Sequence, residues 1–404
     1  MDNTLMCIED SLLTSKKRQN PLRIVKSTTV FSGKPGFIPC IGTMSLGKPS
    51  ECPLLAKLRP DFVDFVKRSF GPDIASYTRA ACVVRDYSNR LGLTIISVQP
   101  FTNFDGLICP EEKKRIKTAF TDVWVEISDI LDVKMVGVPA SYGNDEDSLS
   151  GNPNLISQDI NWISKVLWKS PGVKVGYEAL CFSKWITTWQ AALKIINDSN
   201  YKSVTKGRPP STKLIIDTFN LCGSTIANPT TPKGLEMNGH LILGKSLHDL
   251  KKAVAVNKGI ICLVQVADAK RLMSRTSHSH GISEKEAKMN WSRNHRLFPG
   301  EKKRGAYLPV LEILREITNP DGIGYKGYIS LEVFMGPHNE ELIDKMYHSM
   351  AASYRLDHAG ALALPTAVAL ECGHRARTSW MLLCAELGWQ SDWTPKIGVV
   401  SDEF

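Results

Sequence analysis

The sequence predicts an α/β protein of the (β/α)8 class, a TIM barrel with a polar N-terminal arm and extra C-terminal helices. Three observations carry that reading. Eight short apolar runs recur along the chain, stretches with helical patterning lie between them, and no GxGxxG or GxxxxGK[ST] turn follows an early strand. Continuous apolar runs are what parallel strands need when both faces are covered, and eight strands each followed by a helix close into a barrel. The competing arrangement, an open doubly wound sheet, is built around the glycine-rich turn that this chain lacks.

Taken in order, residues 1–35 are polar and turn-rich and read as the arm, ahead of a barrel over 36–358. Strands are expected at 38–43, 62–66, 93–98, 135–138, 173–177, 213–217, 259–264 and 327–331. The helix from Asp73 to Leu91 stops at Gly92, which accepts the left-handed conformation that ends helices. The helix from Pro110 to Leu131 opens Pro-Glu-Glu. Proline is tolerated in a first turn, and acids are favoured at the positive end of the helix. Further helices are expected at Trp185–Asp198, Ser246–Val256, Tyr307–Ile317 and Glu340–Tyr354. Residues 270–305, rich in His and Arg, read as a long loop after the seventh strand, and long ordered loops in compact folds tend to be functional. Residues 359–404 read as an extension whose Ala/Leu-rich part, 359–390, forms one or two helices packed on the barrel.

Composition narrows the function classes. At 404 residues, 43% hydrophobic and 23% charged, the chain can bury a core without staples, which excludes a disordered, collagen-like or disulfide-scaffold protein. Its cysteines form no CxxC pair and several sit in apolar runs, such as Cys262, as expected of reduced thiols in a cytoplasmic protein. Lys and Arg exceed Asp and Glu by 50 to 41, but the charge is scattered in short clusters such as Lys113-Lys114-Arg115. No basic stripe is interleaved with aromatics, so a small anionic substrate is expected as the partner and nucleic acid is not. No apolar run nears the ~18 residues of a membrane span, and the N-terminus lacks the apolar core of a secretory signal, so no membrane partner is expected. Monomer and homo-oligomer are both compatible with the pattern.

In a barrel, catalytic groups stand at the C-terminal ends of strands. The fifth strand ends Gly176-Tyr177-Glu178, the sixth Ile216-Asp217-Thr218, the seventh runs through Val264-Gln265, and the eighth ends Leu331-Glu332. Taken singly these say little: Asp217 before Thr218 can simply cap the next helix. Four consecutive strands presenting an oxygen-bearing side chain at one rim say more. Crowded carboxylates repel and resist ionisation unless a cation neutralises them, and all-oxygen ligation favours magnesium or manganese over zinc. Glu178, Asp217, Gln265 and Glu332 are therefore the candidate metal ligands, with Glu178 and Glu332 also counted as candidate catalytic groups.

The runs Tyr177-Glu178-Ala179-Leu180, Asp217-Thr218-Phe219-Asn220, Val264-Gln265-Val266-Ala267-Asp268-Ala269 and Ser330-Leu331-Glu332-Val333-Phe334 carry a resemblance. So do Gly92 through Phe101 and Trp291-Ser292-Arg293-Asn294-His295-Arg296-Leu297-Phe298-Pro299. From about residue 38 to residue 390 the chain resembles the fungal 3-dehydroshikimate dehydratases, within the xylose-isomerase-like barrels of the sugar phosphate isomerase/epimerase superfamily. The resemblance implies that the four strand-end residues bind a divalent metal and that Arg296 binds the substrate carboxylate, for which a guanidinium offers two parallel donors. It implies a lyase that removes water from 3-dehydroshikimate through an enolate to give protocatechuate. His295 and Lys184, in functional-looking loops, are candidates for the proton transfers, and Arg293, Asn220 and Thr102 are candidates to line the substrate pocket. His278 and His280 read as solvated. An isomerase or epimerase, or a tailoring enzyme of secondary metabolism, would use the same metal logic; Arg296 argues for an acidic substrate.

The chain also departs from the family pattern. Where the family reads Pro-Phe-Arg-Asp-Phe-Glu-Gly, this chain reads Pro100-Phe101-Thr102-Asn103-Phe104-Asp105-Gly106, so an arginine is replaced by Thr102. Cys181-Phe182-Ser183-Lys184-Trp185 stands where a Ser-Trp-Gly run is usual, and Asn220 where bacterial relatives have histidine. These changes imply an altered pocket around an unaltered metal set.

Overall fold

The computed structural model describes residues 38–41, 74–90, 93–143, 148–170, 172–231, 233–272, 283–334 and 364–389. Its strands are β1 (Ile38–Ile41), β2 (Ser97–Val98), β3 (Met135–Pro139), β4 (Lys174–Glu178), β5 (Thr212–Asp217), β6 (Ile261–Val266), β7 (Asp268–Ala269), β8 (Arg296–Leu297) and β9 (Tyr328–Leu331). Seven of them form one sheet in the order β1-β9-β6-β5-β4-β3-β2, with every pairing parallel. The last strand pairs with the first, as the closing strand of a barrel does. The strand expected at 62–66, between β1 and β2, lies outside the described residues, as do the arm over 1–35 and the helix expected at 340–354.

The helices are α1 (Ile74–Arg90), α2 (Pro110–Ala119), α3 (Val125–Ile130), α4 (Pro153–Leu167), α5 (Trp189–Val204), α6 (Thr218–Thr225), α7 (Gly239–Val256), α8 (Glu284–Asn294), α9 (Val310–Thr318) and α10 (Leu364–Leu387). The helix expected over 110–131 is present, but a π-helical turn at Phe120–Trp124 divides it into α2 and α3. The expected start at Trp185 moves to 189 because the Thr188 side chain accepts the Ala191 N–H and caps α5 there. Residues 270–305 are not one loop. Ser283 and Glu286 form a capping box that starts α8, and β7 and β8 pair antiparallel across the segment. Among the described residues the Ala/Leu-rich tail forms one helix, α10, tied down where Ser379 Oγ donates to the Pro299 carbonyl and Arg375 grips Glu301 with two bonds of 2.6 and 2.8 Å.

Inside the sheet, Met135 on β3, Ile215 on β5 and Leu263 on β6 fill one layer across β4. Gly176 lies between them, and a Cβ there would stand 2.5 Å from Met135 Sδ and 2.7 Å from Ile215 Cδ1, so any larger residue would force both side chains to move. Outside, α4 and α5 bury Ile156, Ile160, Ile163, Ile195 and Ile196 against the sheet. Strand register then sets the upper rim. Glu178 ends β4, Asp217 pairs with Gln265, Gln265 pairs with Ser330, and the Glu332 N–H donates to the Val266 carbonyl.

Candidate metal centre

The rim brings Glu178, Asp217 and Glu332 together. All three are buried, and each offers an oxygen within 4.8 Å of those of the other two. Asp217 does two jobs. Its Oδ1 accepts the Phe219 and Asn220 N–H groups at 2.6 and 3.1 Å, capping α6, and its Oδ2 accepts from Arg296 Nη1 at 2.7 Å. The capping role and the clustering role, alternatives in the sequence, are both filled. Glu178 Oε1 accepts from Asn220 Nδ2 at 2.8 Å, and Glu332 Oε1 from Gln99 Nε2 at 3.3 Å. Gln265, on the strand between Asp217 and Glu332, is buried, and its Oε1 has no hydrogen-bond partner among the described residues.

The charges do not balance. Burial, and then the neighbouring Glu332 and Asp217 carboxylates, push the Glu178 carboxyl well above its ordinary range; Arg296 and the Asn220 hydrogen bond only partly oppose this. Burial likewise raises Glu332, with Arg296 opposing and Asp217 adding to the shift. One guanidinium faces three carboxylates. A buried amide oxygen without a donor costs about 1–3 kcal/mol, and a native structure rarely leaves one without a purpose. Three carboxylates, a bare amide oxygen and a deficit of positive charge fit a hard divalent cation with oxygen ligands.

Arg296, expected to meet a substrate carboxylate, is 2% exposed and is held by the protein itself. Its guanidinium lies between the Phe219 and Phe334 rings at 4.4 and 4.5 Å, Nε and Nη2 donate to Ser292 Oγ at 3.3 and 3.1 Å, and Nη1 reaches Asp217 and the Glu332 carbonyl. Asn220 likewise turns to Glu178. Thr102 is half-buried in the loop after β2. Arg293 and Lys184 are exposed, stacked over Tyr142 and Trp185 at 5.2 and 5.1 Å. His295 is half-buried at the C-terminus of α8, its carbonyl accepting the Lys270 N–H at 2.9 Å. Among the described residues the acidic group contains no histidine. Gln99 is the contact that the strand-end reading passed over, although it directly follows β2 and the same rule applied to that strand finds it. Among the described residues no helix is long and apolar enough to cross a membrane.

The family model for the xylose isomerase-like TIM barrel matches residues 56–352. A 3-dehydroshikimate dehydratase of Neurospora crassa is 32% identical over 274 residues, which cover 67% of this chain and 72% of that protein. A 3-dehydroshikimate dehydratase of Pseudomonas aeruginosa is 24% identical over 269 residues, 66% of this chain but 33% of the relative, so the chain spans about a third of that relative's length. Among solved structures, a xylose isomerase-like TIM barrel/4-hydroxyphenylpyruvate dioxygenase fusion protein superposes with a TM-score of 0.50 at 19% identity, covering 80% of this chain and 44% of that one, a likeness of fold.

Proposed function

Because the chain belongs to the xylose isomerase-like TIM barrel family, we propose that it is a metal-dependent hydro-lyase that converts 3-dehydroshikimate, or a close cyclic keto-acid, to protocatechuate. The observation that carries the metal part is the under-neutralised group Glu178, Asp217 and Glu332 beside the partnerless Gln265 Oε1. These four residues would hold the ion, magnesium or manganese by the hardness of the donors. A bound divalent ion supplies positive charge where negative charge develops on a substrate oxygen, a contribution of several kcal/mol.

The other side chains prepare that centre. Arg296 pairs with Asp217 at 2.7 Å, and the two phenylalanine rings around its guanidinium help to exclude water from the pair. An anionic substrate suits the rim above: Lys285 Nζ lies 3.4 Å from the Gly143 carbonyl and Arg293 stacks over Tyr142, both on α8. These cations attract a carboxylate over a rim whose floor is acidic. The described cysteines are free thiols, in keeping with a cytoplasmic site of action.

The test is the appearance of protocatechuate absorbance when 3-dehydroshikimate is added to the protein with magnesium or manganese, and again after chelation. Activity that requires the ion is expected. No product under any metal condition would remove the dehydratase reading. Thr102→Arg, which restores the family's arginine, is expected to raise kcat/KM for 3-dehydroshikimate about tenfold if the pocket has drifted towards another keto-acid.

A further inference from the structure

Two carboxamides outside the ligand set touch it, and their geometry is specific. Asn220 Oδ1 accepts the Cys181 N–H at 3.1 Å, which leaves Nδ2 as the atom turned to Glu178 Oε1. A backbone donor therefore fixes which end of this amide faces the carboxylate. The Asn220 N–H meanwhile donates to Asp217 Oδ1, so one residue in the first turn of α6 holds ligands from two neighbouring strands. On the other side of the rim, Gln99 reaches from the end of β2 to Glu332, 233 positions away, with Nε2 on Oε1. It passes over Gly137. A Cβ at that glycine would stand 2.5 Å from Gln99 Oε1 and 2.8 Å from Gln99 Cβ, so the missing side chain is what leaves room for the reach.

The three carboxylates follow one pattern. Each gives one oxygen to a neutral donor of the protein: Glu178 to Asn220, Glu332 to Gln99, and Asp217 to two backbone N–H groups. Neutral donors do not cancel the repulsion among three acids, so charge balance does not account for the arrangement. Orientation does.

We infer that Asn220 and Gln99 are positioning residues, each holding one oxygen of its glutamate so that the other oxygen is turned, with Gln265 Oε1, to the cation, which would share Asp217 Oδ2 with Arg296. This rests on the metal reading above. Partners that orient metal ligands typically account for about ten- to a hundredfold in affinity when removed.

The experiment is a manganese titration followed by the paramagnetic resonance of free Mn2+, on the full chain at a temperature well below its melting midpoint. Asn220→Leu and Gln99→Leu keep side-chain bulk and remove the donor; each is expected to weaken Mn2+ binding by about ten- to a hundredfold. Asn161→Leu removes a buried amide that serves Ser199 and Ser203 on α5 instead, and is expected to lower thermal stability while leaving Mn2+ affinity unchanged. Should Asn220→Leu fail to fold, Asn220→Ser takes its place, and Gly137→Ala displaces Gln99 without altering it; both are expected to weaken binding. If the native protein binds Mn2+ and the Asn220 and Gln99 variants bind it equally well, the positioning role is overturned and the metal site stands. If the native protein binds no Mn2+, the metal reading fails and the positioning role fails with it.

Discussion

Two buried carboxylate sites meet β4 at adjacent residues, Asp105 through Tyr177 and the acidic group through Glu178, and they are built oppositely. The pleat sends Tyr177 and Glu178 to opposite faces. Tyr177 Oη donates at 2.7 Å to Asp105, which also receives the Ser141 N–H at 3.0 Å and the Ser141 hydroxyl. Asp105 is thus a single buried acid surrounded by neutral donors with both oxygens occupied. Glu178 joins two other acids, one shared guanidinium and an amide oxygen with no donor. Burial raises both carboxyls, Asp105 to about 6 and Glu178 well above its ordinary range. Burial and a raised pKa therefore do not separate a structural acid from a functional one. Whether the protein completes the hydrogen bonding and the charge balance by itself does.

The largest expected effect tests that division at its functional end. Glu332→Ala should reduce kcat by about a thousandfold or more, since several kcal/mol of charge stabilisation depend on the ion it would help to hold. The far-ultraviolet circular dichroism should stay native, because a rim acid supports no core packing. Asp105→Ala should do the reverse. It strands the Tyr177 hydroxyl and the Ser141 donors in the interior, at a cost of about 2–4 kcal/mol in urea unfolding, while the folded fraction keeps kcat within a few fold. A variant of Asp105 that folds as well as the native chain and loses catalysis would erase the distinction.

What could be read from the chain follows the same division. β3 through β6 were legible because their apolar runs are continuous and buried on both faces, and Glu178, Asp217, Gln265 and Glu332 because a barrel assigns a place to whatever ends a strand. α4 was not, although Asn152 caps it and Pro153 opens it, because Ser157, Asp159, Asn161 and Ser164 interrupt its apolar pattern and are buried all the same. Asn161 and Asp159 find their partners 38 to 53 positions away, which periodicity does not report. α8 was read as loop because Glu284-Lys285-Glu286-Ala287-Lys288 is polar, yet Ser283 three residues before Glu286 was its visible start. Arg296 was placed at the site for a substrate carboxylate, but its bond to Asp217 could not be read, because that acid is 79 positions distant and only the fold brings it there.

The structural acid also makes a pH prediction. Asp105 ordinarily ionises near 3.8 and in the fold near 6, because burial outweighs the hydrogen bonds it accepts. The folded state favours the neutral form, so this stabilisation is complete below about pH 4 and is lost as the pH rises through about 6. At 1.36 kcal/mol per tenfold the span is about 3 kcal/mol. Asp105→Asn should flatten the fall in urea stability between pH 4 and 7, measured without metal. It should not abolish the fall, because burial also raises Asp268 to about 6. An unchanged slope would mean that Asp105 is ionised in the fold and that its donors, not its proton, satisfy it.

The smallest effect has the opposite sign to that of Asp105→Ala. Glu178→Gln keeps the shape of the side chain and an oxygen for Asn220 Nδ2, but removes a carboxyl that burial, Glu332 and Asp217 all hold away from ionisation. In metal-free protein at pH 8 the variant should therefore be more stable than the native chain, by about 1 kcal/mol, or roughly two degrees in Tm. Saturating Mn2+ should reverse the order, because a ligand that binds only the folded state stabilises it in proportion to the logarithm of one plus its concentration over Kd, which is smaller for the weakened site. Paired thermal scans with chelator and with Mn2+ read both signs. A Glu178→Gln chain less stable than native in chelator would show that the acids at this rim are as well satisfied as Asp105, and the two sites would no longer differ in kind.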